Sequence, residues 1–186
     1  MPYAPKGYKG IPNTPFEISF SKFFLLHPEL SLYIHVFPGS CFSIINQADD
    51  MKITVETAIQ APMEVVWRAY NTPEDVMQWN FASDDWHCPS VTSDFRVGGI
   101  FCSRMEAKDG SQGFDFEGTY TRIVPNELIE YKFGDRTAQV TFVEKPQGVF
   151  VQVTFDAEET FPPEYQKDGW QAILNNFKKY VEGIAG

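Results

Sequence analysis

With 186 residues, 43% of them hydrophobic, the chain can bury one substantial core and is too short for two full domains. Its net charge is −10, and residues 51–186 alone carry 12 Lys+Arg against 21 Asp+Glu, with no basic stripe to offset them. Such a surface repels phosphate backbones and anionic lipid heads, which argues against nucleic acid and membrane surfaces as partners. No run of 18 apolar residues is present, so no transmembrane helix is predicted. Cys41, Cys88 and Cys102 form neither a CxxC pair nor an even framework, and no secretory signal pattern opens the chain. A reducing, cytoplasmic setting is the expectation.

Residues 1–50 hold six of the 13 prolines, and the aromatic stretch from Phe20 to Phe37 is broken at His27-Pro28-Glu29. Proline removes backbone donors and interrupts helices and central strands. This segment reads as a poorly ordered extension, translated from upstream of a start at Met51. The domain itself is expected over 51–186, so a chain beginning at Met51 is predicted to fold with essentially unchanged stability. The opposing feature is the set of six phenylalanines in the extension, unusual for a disordered tail.

From Lys52 the periodicities become legible. Ile53, Val55, Thr57 and Ile59 alternate with Lys52, Thr54, Glu56 and Ala58, the signature of a half-buried strand. Pro62 opens a short helix with Val65, Val66, Ala69 and Tyr70 on its apolar side. Thr72-Pro73-Glu74-Asp75 starts a second, with Thr72 as N-cap, ending near Trp79. Asn80 to Pro89 is expected to be a connection to the second strand. Residues 94–157 read as an antiparallel meander punctuated at Asp109-Gly110, Pro125-Asn126, Gly134-Asp135 and Pro146-Gln147-Gly148. A long helix from Pro163 to about Glu182 carries Trp170, Ile173, Leu174, Phe177 and Val181 at three- and four-residue spacing. Lys178 and Lys179 suit its dipole, and Gly183 suits its C-terminal cap.

Reactive side chains concentrate between Asp84 and Cys88. His87 beside Asp84 and Asp85 could serve as a general base, with Tyr120 polarising a carbonyl. The same cluster offers His, Cys and Asp ligands, but all lie within five residues and no second ligand cluster exists, so no metal is expected. Arg96 and Arg104 read as solvated strand residues and Glu117 as a surface carboxylate. Gly98-Gly99 marks a bend rather than a phosphate loop, since the GxGxxG and GxxxxGK[ST] spacings are absent. No cofactor is expected.

A set of short signatures runs in one order: Ile59-Gln60-Ala61-Pro62, Val66-Trp67, Thr72-Pro73-Glu74, Trp79, Phe95-Arg96-Val97-Gly98-Gly99, Asp109-Gly110, Gly118-Thr119-Tyr120, Ile123-Val124-Pro125 and Gly169-Trp170. In this order they resemble the family named after the C-terminal domain of the activator of Hsp90 ATPase, within the START-like (SRPBCC) superfamily, over about residues 51–183. The resemblance implies an α+β helix-grip: a curved antiparallel sheet of about six or seven strands wrapped around the long C-terminal helix, with two short helices after the first strand. It implies an internal cavity between sheet and helix. The expected lining from the first half of the domain is Trp79, Phe81, Trp86, His87 and Met105. From the second half it is Phe116, Tyr120, Phe142, Phe155, Trp170, Ile173 and Phe177.

Three functional readings follow. The leading one is binding of a small, largely hydrophobic molecule in that cavity, with Tyr120, His87 and Ser103 as polar handles. The second is an enzyme resembling the polyketide cyclases, with His87 as base, oriented by Asp84 or Asp85; no diagnostic catalytic motif accompanies it. The third is a protein-interaction module with Hsp90 as partner, although the activator's separate N-terminal domain has no counterpart in residues 1–50. Either a monomer or a homodimer is expected.

Overall fold

The computed structural model describes residues 51–186; the expectation of a poorly ordered extension falls on residues outside these. The described chain runs β1 (Lys52–Ile59), α1 (Met63–Asn71), α2 (Pro73–Trp79), β2 (Trp86–Ser93), β3 (Ile100–Ala107), β4 (Gly113–Val124), β5 (Leu128–Phe133), β6 (Arg136–Lys145), β7 (Gly148–Asp156) and α3 (Pro163–Ala185). All seven strands form one antiparallel sheet in the order β1-β7-β6-β5-β4-β3-β2. The meander β2–β7 is therefore sequential, and β1 closes it by pairing with β7, Ile53 opposite Phe155 and Val55 opposite Val153. This is the α+β helix-grip that the sequence implies.

Strict alternation makes one sheet face apolar, and the three helices cover it. Val149, Val151, Val153 and Phe155 on β7 face inward, as do Ala138, Val140 and Phe142 on β6. From α3 the buried residues Leu174, Phe177 and Val181 meet this face. Trp170 lies on it too, stacked on Phe155 with centroids 4.2 Å apart.

Local details depart from the sequence expectations. Four of the ten residues of the presumed Asn80–Pro89 connection are strand: β2 begins at Trp86. Pro89 hid it, because proline cannot donate to the ladder. The structure accommodates this with a bulge, the pairing jumping from His87–Glu106 to Ser90–Arg104, so that two residues oppose Met105. Pro62 is the N-cap of α1 rather than its first helical residue, and Thr72 caps α2 without a side-chain hydrogen bond. The helix α3 runs through Gly183 to Ala185, so Gly183 does not end it. Lys178 does not serve the dipole: its ammonium donates to the Ala58 carbonyl at 2.7 Å, tying α3 to β1.

The β7–α3 connection is fastened by Gln166, which is fully buried. Its Nε2 donates to the carbonyls of Glu158 (2.9 Å) and Phe161 (2.7 Å), and its Oε1 accepts from the Glu158 amide (2.9 Å). A buried amide that satisfies three loop groups fixes where α3 begins, and hence where Trp170 falls over the sheet.

Candidate functional site

The interior between sheet and helices is packed with aromatic rings from nearly every element. On one side Tyr70 of α1 packs against Trp79, Phe142 and Phe177 at 5.2–5.4 Å. Trp67 touches Phe95 and Phe142 at 6.0 and 5.2 Å. Across the interior, Phe101 sits 5.1 Å from both Tyr120 and Tyr131. Phe116, Phe133 and Trp170 form a further group, with mutual centroid distances of 5.4–6.1 Å. Most are edge-on or tilted pairs, the arrangements that the ring quadrupole favours.

Gly118 explains how Phe101 enters this arrangement. It lies directly opposite Phe101 across the β3–β4 ladder. A Cβ there would stand 2.5 Å from Phe101 Cζ and 2.6 Å from the Lys132 carbonyl oxygen. The Phe95–Gly99 loop is likewise shaped by a glycine: a Cβ on Gly99 would be 1.9 Å from the Asp94 carbonyl oxygen. The tight loop then bonds to β4, Gly98 N–H donating to the Tyr120 carbonyl (2.7 Å) and Tyr120 N–H to the Gly99 carbonyl (3.0 Å). Phe95 is thereby set edge-on against the Tyr120 ring at 5.2 Å.

Among the described residues the polar groups of these walls include the Trp79 indole N–H, which donates to the Ala69 carbonyl at 3.0 Å, and several hydroxyls. Tyr120 and Ser93 share a hydrogen bond of 3.1 Å. The hydroxyls of Tyr70, Tyr131 and Ser103 take no hydrogen-bond partner among the described residues, and none of the three is a fully buried atom; the fully buried side-chain atom without a partner among those residues is Glu158 Oε1. Burial pushes the phenol pKa of Tyr70 and of Tyr131 well up, and each is raised further by its phenol neighbours, Tyr120 in both cases. Burial also raises Tyr120, with the Ser93 hydrogen bond opposing it. The three phenols are thus near neighbours that stay protonated.

The sequence-predicted residues divide by face. Trp79, Phe142, Phe155, Ile173 and Phe177 belong to or pack on the core, as do Phe116, Tyr120 and Trp170. Met105 is buried, and Trp86 packs on Phe114 at 5.9 Å. The Phe81 carbonyl accepts from Asn176 Nδ2 of α3 at 2.7 Å. His87 lies elsewhere. It pairs with Glu106 on the outer face, its Nε2 3.8 Å from that carboxylate and its side chain 42% exposed. Alternation places Tyr120 on the opposite face, so the structure does not bring His87 and Tyr120 together. Asp85 accepts a hydrogen bond from Ser83, and Asp84 is exposed. Cys88 faces in, where burial, with a lesser contribution from Cys102, pushes its thiol up to about 11. No group of three or more His, Cys, Asp or Glu side chains among the described residues is arranged to hold a metal. Arg104 points outward, between Glu106 (2.8 Å) and Asp115 (3.3 Å), as alternation predicts.

Sequence reading missed Tyr70, Tyr131 and Ser93 as site residues. Tyr131 alternates with Ile129 and Phe133, a signal of its inward face, but nothing local tells that its hydroxyl meets no partner. Ser93 ends β2, the second strand, whose bounds the sequence reading did not give.

No curated protein matches this chain. Solved structures do. The AHSA1-like protein from Aeromonas hydrophila is 47% identical over 72% of this chain and 94% of its own, with a TM-score of 0.69. Chr148 from Cytophaga hutchinsonii is 46% identical over 72% and 93%, TM-score 0.63. CV1439 from Chromobacterium violaceum is 27% identical over 71% and 98%, TM-score 0.63. Residues 60–182, from the end of β1 to the last turns of α3, match the family described as activator of Hsp90 ATPase homolog 1-like protein, and this chain belongs to that family.

Proposed function

We propose that the protein binds a small, largely hydrophobic molecule in the space between the sheet and the C-terminal helix. The observation that carries this reading is the trio of hydroxyls on Tyr70, Tyr131 and Ser103 that take no partner among the described residues and, not being fully buried atoms, stay open to a molecule reaching the aromatic interior. A hydroxyl with both its donor and its acceptor uncommitted can exchange hydrogen bonds with a molecule that reaches it. Ligand sites combine apolar lining with a few such groups. Catalysis through His87 is not part of the reading, because His87 stands on the outer face. A cytoplasmic setting goes with it, supported by the free thiols of Cys88 and Cys102; no helix among the described residues is long and apolar enough to cross a membrane.

Native mass spectrometry of the freshly purified full chain tests the proposal. The expected result is an adduct of constant small mass that is lost on denaturation. Only the bare mass, together with no amide shift on β3–β5 when the protein is titrated with a panel of small aromatic compounds, would overturn it.

A further inference from the structure

We propose that α3 has a second role besides covering the apolar face: it guards the β1 edge of the sheet, and a row of its polar side chains is the latch that holds it there, closing that edge to strand addition by a second copy of this chain. This role is independent of any molecule held inside the fold.

β1 is one of the two edges of the seven-stranded sheet. Its register fixes which backbone groups lack a strand partner. The Ala157 N–H donates to the Met51 carbonyl at 2.8 Å, so Ile53, Val55, Thr57 and Ile59, in step with Met51, exchange hydrogen bonds with β7. Lys52, Thr54, Glu56 and Ala58 therefore turn their N–H and C=O groups away from β7, as does Gln60 just past the strand end. An exposed row of that kind is a template for another strand. The opposite edge, β2, is blunted by Pro89 and the bulge between His87 and Ser90. β1 has neither device.

Its outward groups meet α3 instead. Gln171 makes with Glu56 the two bonds that a facing residue of an added antiparallel strand would make. Its Nε2 donates to the Glu56 carbonyl at 3.1 Å, and its Oε1 accepts from the Glu56 N–H at 3.3 Å. The amide is held in place by a second Nε2 bond, to Asn175 Oδ1 at 3.0 Å. Lys178 Nζ donates to the Ala58 carbonyl at 2.7 Å. Glu182 Oε1 accepts from the Gln60 N–H at 2.9 Å and stands 3.6 Å from Lys178 Nζ. Gln171, Asn175, Lys178 and Glu182 each follow by one position a member of the apolar stripe Trp170, Leu174, Phe177 and Val181, so the polar row runs beside that stripe along α3. From Gln171 to Glu182 the helix rises about 16 Å, and from Glu56 to Gln60 the chain advances about 13 Å, so one row can follow the other. Ahead of Glu56 the row leaves Lys52 and Thr54, a stretch too short to seat a strand. The apolar stripe holds α3 over the face; the polar row holds it over the edge.

Amide hydrogen exchange and light scattering on the full-length protein test both halves of the proposal. In the parent, the Glu56 and Gln60 amides should be protected although they point off an edge, and the Thr54 amide, which α3 does not reach, should exchange faster. Gln171→Ala should speed exchange at Glu56 roughly fivefold, and Glu182→Ala should do so at Gln60. The triple variant Gln171→Ala/Lys178→Ala/Glu182→Ala keeps the whole apolar stripe and gains helix propensity, so the fold is retained. It should form concentration-dependent species of at least twice the parent's mass. The double variant Gln171→Ala/Glu182→Ala, which keeps Lys178, should do the same at higher concentration. Thr54→Pro, added to either, removes an outward donor that an edge strand can spare and should restore the parent's mass. If Glu56 and Gln60 exchange as fast as Thr54 in the parent, α3 does not cap the edge. If both combined variants keep the parent's mass at every concentration, the polar row is not what closes β1. If they associate equally with Thr54→Pro, the contact uses another surface and strand addition is wrong.

Discussion

The hydroxyls of Tyr120 and Ser93 lie 3.1 Å apart, although Tyr120 is on β4, Ser93 is on β2, and the whole of β3 runs between them. Ser93 faces Phe101, and Phe101 faces Gly118, two residues before Tyr120. The missing side chain at Gly118 lets the Phe101 ring settle over β4, so that Tyr120 reaches across β3 to the edge strand. Three strands are thus cross-braced by one phenol, and that phenol belongs to the proposed site.

Removing either end of this bridge leaves a polar group facing aromatic neighbours. Tyr120→Phe and Ser93→Ala should each destabilise the fold by about 1–2 kcal/mol, and the double substitution by less than their sum. Urea denaturation of the four proteins of the cycle measures the coupling, expected near 1 kcal/mol. Additive effects would mean that the two hydroxyls do not interact.

Gly118→Ala is predicted to destabilise by about 2–3 kcal/mol. The new methyl would meet Phe101 Cζ at 2.5 Å, and that ring could tilt away; the Lys132 backbone oxygen at 2.6 Å has no such freedom. Thermal melts read the loss. Aromatic proton shifts of Phe101 and Tyr120 should move with it, and a melting temperature equal to that of the parent would contradict the steric argument.

Gln166→Leu keeps volume and burial but deprives three backbone groups of the β7–α3 loop of their partner. The expected cost is about 3–4 kcal/mol, set by unsatisfied buried groups. Hydrogen exchange should show the Glu158 amide losing its protection first. Unchanged protection at that amide would mean the loop holds itself.

Asp156 joins β1 to β6 from the outer face of the sheet. Its Oδ1 accepts from the Lys52 ammonium, and its Oδ2 from the backbone N–H (2.7 Å) and hydroxyl (2.6 Å) of Thr137. Burial alone would push its carboxyl up, but these donors together outweigh it and hold the pKa below the usual value. A depressed folded-state pKa contributes stability above the unfolded value, about 3.9, that is lost as pH falls through the folded one. The urea midpoints of parent and Asp156→Asn should therefore differ most at neutral pH and converge below about pH 4. A difference that does not vary with pH would remove the titration of Asp156 as its cause.

Elements with a clean period were legible in the sequence. The alternation of β1 and β7, the helix starts at Pro62 and Pro73, and the apolar stripe of α3 each follow from local spacing, because burial of one face dictates that spacing whatever the rest of the chain does. Elements with a defect were not. β2 hid behind Pro89, whose missing donor is tolerated only because a bulge absorbs it. The α3 helix overran Gly183, whose cost the preceding turns outweigh.

The sequence by itself determined the family, the helix-grip and an interior supplied with large rings. What only the tertiary structure decided is which side chains share that interior. His87 and Tyr120, both candidates for one site, fall on opposite faces, because His87 pairs with the outward Glu106 of β3, whereas Tyr120 shares the inward face with Gly118, which pairs with the inward Phe101. Tyr70, Tyr120 and Tyr131 are separated by up to 61 residues along the chain, yet they become neighbours. Their meeting depends on how α1 docks on the curved sheet, a long-range packing outcome that no local period encodes.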